Sequence, residues 1–362
     1  MSKIVSIACQ AAPHQYRQKE IFSYMLNKIG WNETEERKIK FLYEKSGISN
    51  RQSVLPDFLP ENLSLLYKTH DSPSVQQRLS IFNQEALPLA IEAAKRCYGG
   101  IVLPDKITHI ITVSCTGMSA PGLDIDLIKS LGLSNSIDRS SVNFMGCYAS
   151  IHAIKQAHYI AQASPSAVVL IVSVELCTLH FQDLNDEDNT LANMLFADGA
   201  GAVLVTSDEF EAPSENNTLK ISHFHSDLLF SGEKDMSWNI SDVGFQMTLS
   251  TYVPKVISAD IRLHFEKLLA KDLTNAESIR FWAIHPGGRA ILEAVTKQMH
   301  ISEVQMRASY NVLQEHGNMS SATILFVLEE ILKKDLPQKG DKTVATAFGP
   351  GLTVESVLLT CI

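Results

Sequence analysis

The chain has 362 residues, of which 45% are hydrophobic and 20% are charged, and its formal net charge is −9. This composition is typical of a soluble globular protein, and the length predicts two domains or one large duplicated unit. An acidic chain without a clustered basic surface argues against a nucleic-acid partner. It remains compatible with a phosphorylated ligand held in one small basic pocket.

The six cysteines are spread along the chain without CxxC pairs, which suits reduced thiols better than a disulfide framework. The first segment, MSKIVSIACQ (1–10), has the pattern of a strand and lacks the features of a signal peptide. The most apolar stretch, AVVLIVSVEL (167–176), is about half as long as a membrane span requires. We therefore expect a cytoplasmic protein without a membrane span.

The first half of the chain alternates strand patterns with helical ones. HIITVSC (109–115) predicts a buried strand, and PGLDIDLIKSLGL (121–133) predicts a short helix that begins with proline. Two further buried strands are predicted at 167–175 and 199–207. The polar, turn-rich segment 208–218 is the best candidate boundary, which gives an N-terminal half 1–210 and a C-terminal half 211–362.

The second half repeats the order of strands and helices. Its predicted elements are a helix across 250–271, a strand at 278–285 that ends in Pro-Gly-Gly, helices at 289–299, 302–316 and 319–334, and strands at 342–349 and 352–361. Alternation of this kind is typical of a layered α/β fold, and its recurrence predicts a duplicated unit.

Three residues have patterns compatible with catalysis, each beside an ordinary structural explanation. Cys147 lies at the head of a helical pattern, where the helix dipole favours a thiolate, although most cysteines in soluble proteins only fill the core. His285 ends an apolar strand before a glycine turn, where α/β folds expose side chains to ligands, but it could equally cap the strand. Asn318 precedes a helix, so it could be an N-cap or offer its amide N–H₂ to a ligand oxygen.

Metal-ligand patterns are incomplete in this sequence. His223 with His225, and His152 with His158, have no third and fourth partners at ligand spacing. The acidic segment 183–189 is typical of a solvated loop, and neither a Walker loop nor a GxGxxG loop is present. The sequence therefore predicts no metal site.

Five segments, in order along nearly the whole chain, resemble the chalcone and stilbene synthase family, the type III polyketide synthases. They are MGCYAS, LFADGAGAVLV, FWAIHPGGRAILEAV, HGNMSSATILFVLEE and AFGPGLTVE. The resemblance implies a thiolase-type five-layered αβαβα fold made of two duplicated halves, and a homodimer. It also implies an acyl-CoA starter and malonyl-CoA as substrates, with no cofactor beyond these CoA thioesters.

The resemblance assigns roles to individual residues. Cys147, His285 and Asn318 match the family's Cys-His-Asn set, and Phe196 matches an aromatic gatekeeper between the CoA tunnel and the cavity. The second gatekeeper aligns with Met247, with Phe245 two positions away. The other positions that correspond to the family's cavity lining are Cys115, Ala120, Cys177 and His180.

These cavity positions depart from the plant enzymes. Ala120 replaces a methionine that reaches across the dimer interface in the family, which opens space for a longer starter, whereas His180 narrows the cavity elsewhere. Ala120 and Cys115 resemble microbial members, which favours fatty acyl-CoA or malonyl-CoA starters over aromatic ones.

The CoA-binding positions are only partly matched. Lys38 and Lys45 correspond to two of the family's three basic residues, and Phe41 occupies the place of the third. Arg289, or Lys40, is a candidate substitute. Gly287 of the Pro-Gly-Gly turn would allow CoA a close approach to the backbone.

The implied chemistry begins with a thiolate of Cys147 that is held by a His285 imidazolium and loaded with the starter. Decarboxylative condensation with malonyl-CoA would extend it, with donors from His285 and Asn318 on the enolate oxygen. Ring closure would give a pyrone, resorcinol or phloroglucinol-type product. The alternatives are a ketoacyl synthase III-like enzyme that uses acyl carrier protein, and a catalytically silent binding homologue.

Overall fold

The computed structural model describes residues 1–59, 64–67, 72–211 and 218–362. These residues form thirteen β-strands: β1 (Ser2–Ala11), β2 (His14–Arg17), β3 (Asn50–Ser53), β4 (His109–Ser114), β5 (Asp138–Asn143), β6 (Val168–Leu176), β7 (Asp198–Ser207), β8 (Leu219–Leu228), β9 (Met236–Ser241), β10 (Gly244–Leu249), β11 (Ile279–Ile284), β12 (Lys342–Gly349) and β13 (Thr353–Cys361).

The same residues form ten α-helices: α1 (Gln18–Ile29), α2 (Glu33–Lys45), α3 (Val75–Tyr98), α4 (Leu123–Leu131), α5 (Ala149–Ala163), α6 (Glu187–Leu195), α7 (Val253–Ala270), α8 (Arg289–Met299), α9 (Glu303–His316) and α10 (Thr323–Glu330). Short turns of other helix types separate some of them, including the 3₁₀ turns Cys177–His180 and Ser320–Ala322.

Nine strands form one sheet in the order β11-β12-β13-β8-β1-β7-β6-β4-β5. In the first half, β1 is antiparallel to β7, β7 is antiparallel to β6, and β6 is parallel to β4. In the second half, β8, β13, β12 and β11 follow the same sequence of pairings. The repeated topology supports the predicted duplication, and β1 joins the two halves by pairing with β8.

The helices lie in layers on the two faces of this sheet. Helix α3 covers one face of the first half, α7 packs on the second half, and α5 and α10 contact strands of both halves. The side chains form two separate hydrophobic cores, one containing Leu170 and Trp282 and the other Ile151 and Leu325. Because α5 and α10 pack between the two halves of the sheet, each half of the sheet forms its own layer. The order helix, half-sheet, helix pair, half-sheet, helix is the expected five-layered arrangement, and it brings the starts of α5 and α10 together.

Strands with continuous apolar runs were predicted closely, because a strand that is covered on both faces needs no alternation. Every residue of β6 and β7 is buried, as the sequence indicated. The helix predicted at 319–334 is real but irregular, since a 3₁₀ turn precedes α10 and a π-helical turn, Ile331–Asp335, follows it. The short hairpin of β9 and β10 was not predicted.

The predicted boundary between the halves falls on 208–218, of which 212–217 lie outside the described residues. Its position therefore stays a prediction. Among the helices of the described ranges, none combines the length and the apolar character that crossing a membrane requires.

Candidate active site

Cys147 lies in a tight loop between β5 and α5. Gly146 has a φ of 94°, and a Cβ atom there would lie 2.3 Å from Cδ of Pro350, so only glycine fits beneath the turn between β12 and β13. The Gly146 N–H donates to Cys115 Sγ at 3.0 Å. These contacts from both halves of the protein fix the position of the nucleophile candidate, two residues before α5 begins.

His285 follows the last residue of β11 and is 1% exposed. Its backbone N–H donates to the Thr346 carbonyl at 2.8 Å, whereas neither ring nitrogen has a hydrogen-bond partner among the described residues. Burial lowers the pKa of His285 to about 3, so the ring is neutral at physiological pH. The imidazole therefore has one N–H and one lone pair available to a substrate.

Asn318 uses its amide oxygen and amide nitrogen differently. Its Oδ1 accepts the N–H of Ser320 at 2.9 Å, and its Nδ2 lies on the other side, 3.5 Å from the carbonyl of Gly287. Both interpretations of Asn318, as a cap and as a donor to a ligand, therefore have support. The amide oxygen accepts a backbone N–H at the start of a 3₁₀ turn, and the amide N–H₂ remains on the cavity side.

Phe196 and Asn318 are joined directly through their backbones. They form a parallel bridge, in which the Ala197 N–H donates to the Asn318 carbonyl and the Asn318 N–H donates to the Leu195 carbonyl, each at 2.9 Å. Together with Cys147 they line one apolar cavity of about 820 Å³, its opening to solvent included. His285 lines the same cavity, so all four predicted catalytic positions converge.

Arg51, which the sequence analysis did not identify, contacts the backbone of the segment that contains Phe196. The side chain is 1% exposed, and its Nη1 donates to the carbonyls of Phe196 and Asn193, both at 2.7 Å. Its Nε donates to Gln18 Oε1 at 2.9 Å. Burial lowers the pKa of Arg51 to about 10, which still leaves the guanidinium charged at neutral pH. We interpret Arg51 as a positioning residue for the segment that contains Phe196.

Most of the predicted cavity residues lie where expected. Cys115, Cys177, His180 and Met247 line the same cavity as Cys147. Ala120 does not lie with them, since it occupies an exposed turn that borders a separate surface cleft. Within one chain the structure therefore does not place Ala120 in the substrate cavity. Its position on the surface is compatible with the expected role across a dimer interface.

An aromatic cluster forms part of the cavity wall. His180 stacks on Phe245 with ring centroids 4.2 Å apart, donates from Nε2 to the Thr116 carbonyl at 2.7 Å, and accepts the Phe245 N–H at Nδ1. Trp238 stands perpendicular to both rings and donates to the Cys115 carbonyl at 2.8 Å. His180 lines the cavity, as does Trp238 on the unpredicted hairpin. The expected narrowing of the cavity by His180 stays a prediction.

A buried carboxyl group lies beneath the cavity wall. Glu175 accepts the N–H of Cys115 at 3.0 Å, the hydroxyl of Thr116 at 2.8 Å, and the hydroxyl of Ser321. Burial raises the pKa of Glu175 to about 7 despite these donors. No local motif marked this residue, because in the sequence it is one acidic residue at the end of an apolar strand.

Burial shifts the pKa values of both members of the expected thiolate–imidazolium pair. Burial raises the pKa of the Cys147 thiol to about 12, although hydrogen bonds to Ser320 and Asn318 oppose the increase. Burial also keeps His285 neutral. Burial therefore favours the neutral forms of both groups in the substrate-free protein, because an apolar cavity disfavours both charged forms. The expected thiolate–imidazolium pair stays a prediction.

The predicted CoA-binding residues lie mainly on the surface. Lys38 and Lys45 are exposed on α2, and Gly287 lines the cavity. A Cβ atom on Gly47 would lie 3.3 Å from Cδ of Arg289, which places Arg289 beside the end of α2. Arg289 Nε also contacts a glutamate one turn later on α8 at 2.7 Å. The structure thus places Arg289 beside Gly47, two residues after α2 ends at Lys45, while Lys38 lies about two turns earlier on α2.

Comparison with known proteins gives the same family for both halves. The model of the N-terminal domain of chalcone and stilbene synthases matches residues 2–209, and that of the C-terminal domain matches residues 220–362. The alpha-pyrone synthesis polyketide synthase-like Pks18 of Mycobacterium tuberculosis is 31% identical over 332 residues, which cover 91% of this chain and 83% of that protein.

Solved structures are similar over the whole chain. PKS-I from the brown alga Ectocarpus siliculosus has a TM-score of 0.93 at 30% identity, covering 100% of this chain and 98% of the other. CsyB complexed with CoA-SH has a TM-score of 0.89 at 26% identity, with both chains covered completely.

The first prediction concerns the ionisation of Cys147. Because its pKa is near 12, alkylation by iodoacetamide should accelerate about tenfold per pH unit between pH 7 and 9, without a plateau. The measurement is the labelling rate of the Cys147 peptide by mass spectrometry, with Cys147→Ser as the control for assignment. A rate that levels off near pH 7 would instead indicate the thiolate–imidazolium pair.

The second prediction concerns Arg51. Arg51→Lys keeps the charge but has a single nitrogen, so it cannot donate to the two carbonyls and to Gln18 at the same time. It should lower the free energy of unfolding by about 2 kcal/mol. Urea denaturation measures this change, and Arg280→Lys on the exposed surface is the matched control, expected to change stability little. Equal stability of the two variants would contradict a positioning role for Arg51.

Proposed function

The chain belongs to the chalcone and stilbene synthase family and is a type III polyketide synthase, and on that basis we propose that Cys147 carries the growing acyl chain. The enzyme is an acyltransferase that extends an acyl-CoA by decarboxylative condensation with malonyl-CoA. One observation supports the assignment of residues: a thiol, an unpartnered imidazole and an oriented amide N–H₂ meet in one apolar cavity.

Loading begins from neutral partners. The Cys147 thiol transfers its proton to the free ring nitrogen of His285 while Sγ attacks the carbonyl carbon of the acyl-CoA thioester. The bond between that carbon and the CoA sulfur then breaks, and the CoA thiolate takes the proton from His285. The acyl group is left on Cys147, and His285 is neutral again.

Extension uses the same cavity. The bond between the carboxylate carbon and the methylene carbon of malonyl-CoA breaks, CO₂ leaves, and the electron pair forms an enolate. Donors from His285 and the Asn318 amide stabilise the enolate oxygen, and Phe196 supplies an apolar wall. The enolate carbon attacks the Cys147 thioester and releases the thiolate. The chain, now one unit longer on CoA, returns to Cys147 for another round.

We propose that neither a metal nor a redox cofactor takes part in this condensation. Loss of CO₂ supplies the electron pair for the new carbon–carbon bond, so the extension involves no net oxidation or reduction. Stabilisation of the enolate requires hydrogen-bond donors, and the chain can supply these from its own residues.

CoA would approach beside the end of α2. Arg289 lies beside Gly47, two residues after Lys45 ends α2, and Gly287, two residues before Arg289, lines the cavity. The charges of Lys45 and Arg289 suit the phosphates of CoA, with Lys38 further along α2. The complex of CsyB with CoA-SH gives support from a related structure. In the ketoacyl synthase alternative, acyl carrier protein would deliver the substrate, and the enzyme would need a surface on which a whole protein could dock.

We propose a fatty acyl or malonyl starter and a pyrone as the main product. The cluster of His180, Trp238 and Phe245 narrows the cavity, which favours release after few extensions. In that release, an enol oxygen attacks the thioester carbonyl and the sulfur leaves. The relative Pks18 is named for alpha-pyrone synthesis. Resorcinol or phloroglucinol-type rings would need a longer chain.

We further propose a cytoplasmic homodimer. Met118 and Ala120 lie on an exposed turn beside a surface cleft, and Met118 is 38% exposed. An apolar side chain on a protruding turn suits an interface between two copies. In that arrangement, Ala120 would contact the partner's cavity, and its small size would leave room there for a long starter.

The third prediction tests the reaction. Incubation with malonyl-CoA and a panel of acetyl, long-chain and aromatic acyl-CoA starters should give pyrones without added carrier protein, detected by mass spectrometry. Cys147→Ala should abolish product, and Asn318→Ala should lower the rate by roughly 10²-fold because an enolate donor is lost. Product formation only with acyl carrier protein would favour the ketoacyl synthase alternative. A protein whose Cys147 is never acylated by any starter would be a silent homologue.

The fourth prediction tests what limits chain length. Trp238→Ala should shift products towards chains at least one malonyl unit longer, because it removes the indole from the cavity wall. Ile240→Ala on the same strand, where the side chain is 57% exposed, is the matched control.

Ala120→Met should reduce the use of long starters, and an unchanged starter preference would refute the role of Ala120 across the dimer.

A further inference from the structure

Outside the active-site cavity, three side chains with metal-ligating groups converge between β8 and α7. His225 Nε2 lies 3.0 Å from Asp227 Oδ2, and His264 Nδ1 lies 2.9 Å from the same oxygen. Because His225 and Asp227 are two residues apart on a strand, they share one face. Helix α7 packs on β8 and contributes His264 to the cluster. We propose that this cluster binds one divalent transition-metal ion, best suited to zinc.

The donor set matches a zinc site with an open position. Two imidazole nitrogens and one carboxylate oxygen are a common three-ligand set for zinc. In the cluster, one ligand atom from each residue lies within 4.8 Å of the other two. Zinc bonds of about 2.0–2.1 Å at tetrahedral angles separate ligand atoms by about 3.3 Å. The two nitrogens therefore need to move away from the Asp227 oxygen by a few tenths of an ångström. They also need to approach each other by up to about 1.5 Å, because the ligand atoms lie within 4.8 Å of one another.

The cluster has both a rigid side and an open side. His264 is 1% exposed, whereas the side chains of His225 and Asp227 are 16% and 24% exposed. An ion can therefore enter from solvent towards two partly exposed ligands and meet a third that is fixed by packing. A water molecule can complete the coordination from the same side.

The second ring nitrogen of His264 also has a hydrogen-bond partner. Its Nε2 lies 2.8 Å from the hydroxyl of Ser356, which in turn lies 2.8 Å from the hydroxyl of Thr346. A serine hydroxyl can donate to Nε2 when Nδ1–H faces Asp227, or accept Nε2–H when Nδ1 binds a metal. Outer hydrogen bonds of this kind orient metal-ligating histidines. The ring therefore keeps its orientation in both states.

A lysine competes with the proposed ion. Lys267 Nζ lies 3.3 Å from Asp227 Oδ1, and Lys271, one turn later, donates to the Phe224 carbonyl at 2.7 Å. Positive charge beside the site lowers the affinity for a cation, and Lys267 also occupies one carboxylate oxygen. Removal of the lysine charge should therefore strengthen metal binding, a result that a purely structural hydrogen-bond cluster would not produce.

The sequence offered His225 no third ligand at a recognisable spacing. Asp227 lies next to it on the strand, but His264 comes from the middle of an amphipathic helix in another part of the chain. Only the packing of α7 on β8 brings the three together. The absence of a metal pattern in the sequence therefore reflects ligands contributed by separate elements.

The experiment is a titration of the full chain, treated first with EDTA, with cobalt(II) and then with zinc. Cobalt held by two imidazoles and one carboxylate should give visible d–d bands without a strong thiolate charge-transfer band in the near ultraviolet. Competition with a chromophoric chelator then gives the zinc affinity. These readouts are independent of polyketide synthesis, so they can fail while the proposed enzymatic function holds.

Three variants decide the outcome. His225→Ala should weaken zinc binding at least about tenfold, and Lys267→Gln should strengthen it several-fold. His223→Ala is the matched control, because His223 lies on the same strand and pairs with Asp272 at 3.6 Å. The proposal is overturned if His225→Ala binds as tightly as the unmodified chain, if His223→Ala weakens binding equally, or if the cobalt spectrum shows thiolate ligation. Circular dichroism verifies that each variant is folded.

Discussion

The backbone bridge between Phe196 and Asn318 joins the two duplicated halves at the cavity where Cys147, His285 and Asn318 converge. Phe196 belongs to the first half with Cys147, and Asn318 belongs to the second half with His285. A shift of one half against the other would separate the thiol from both partners at once. The buried guanidinium of Arg51 supports this bridge through the carbonyl of Phe196. The active site is therefore a property of how the halves are joined, and neither half contains it alone.

Burial then determines the resting charges of the site. A cavity that must hold an apolar acyl chain removes water from Cys147 and His285, and both groups are neutral as a result. In the proposed mechanism, a bound substrate that excludes water from the cavity would also strengthen hydrogen bonds to an enolate oxygen. In that mechanism, a neutral resting dyad and a strong site for the enolate have the same cause, which is burial. It also limits wasteful reaction of the thiol with molecules that do not enter the cavity.

The sequence predicted the parts of the molecule that carry local signals. Cys147, His285 and Asn318 each stand at the end of a recognisable element, and the strand β6 is apolar throughout. Arg51 had no such signal, because a basic residue in a polar segment looks like surface until the fold covers it. Trp238 lies on a short, partly exposed hairpin with weak patterning. The pKa shifts of Cys147 and His285 had no local signal either, because burial is a property of the assembled cavity.

The strand β1 has a consequence for how the protein is made. It lies in the middle of the large sheet, between β7, which begins at Asp198, and β8, which begins at Leu219. On a ribosome that adds roughly 5–20 residues per second, the strand emerges first and waits roughly 10 to 45 s for both neighbours. During that time its main-chain groups and buried Ile4 and Val5 are uncovered, which is a hazard for aggregation. The yield of folded enzyme in a cell would therefore depend on the chaperones that protect this nascent strand.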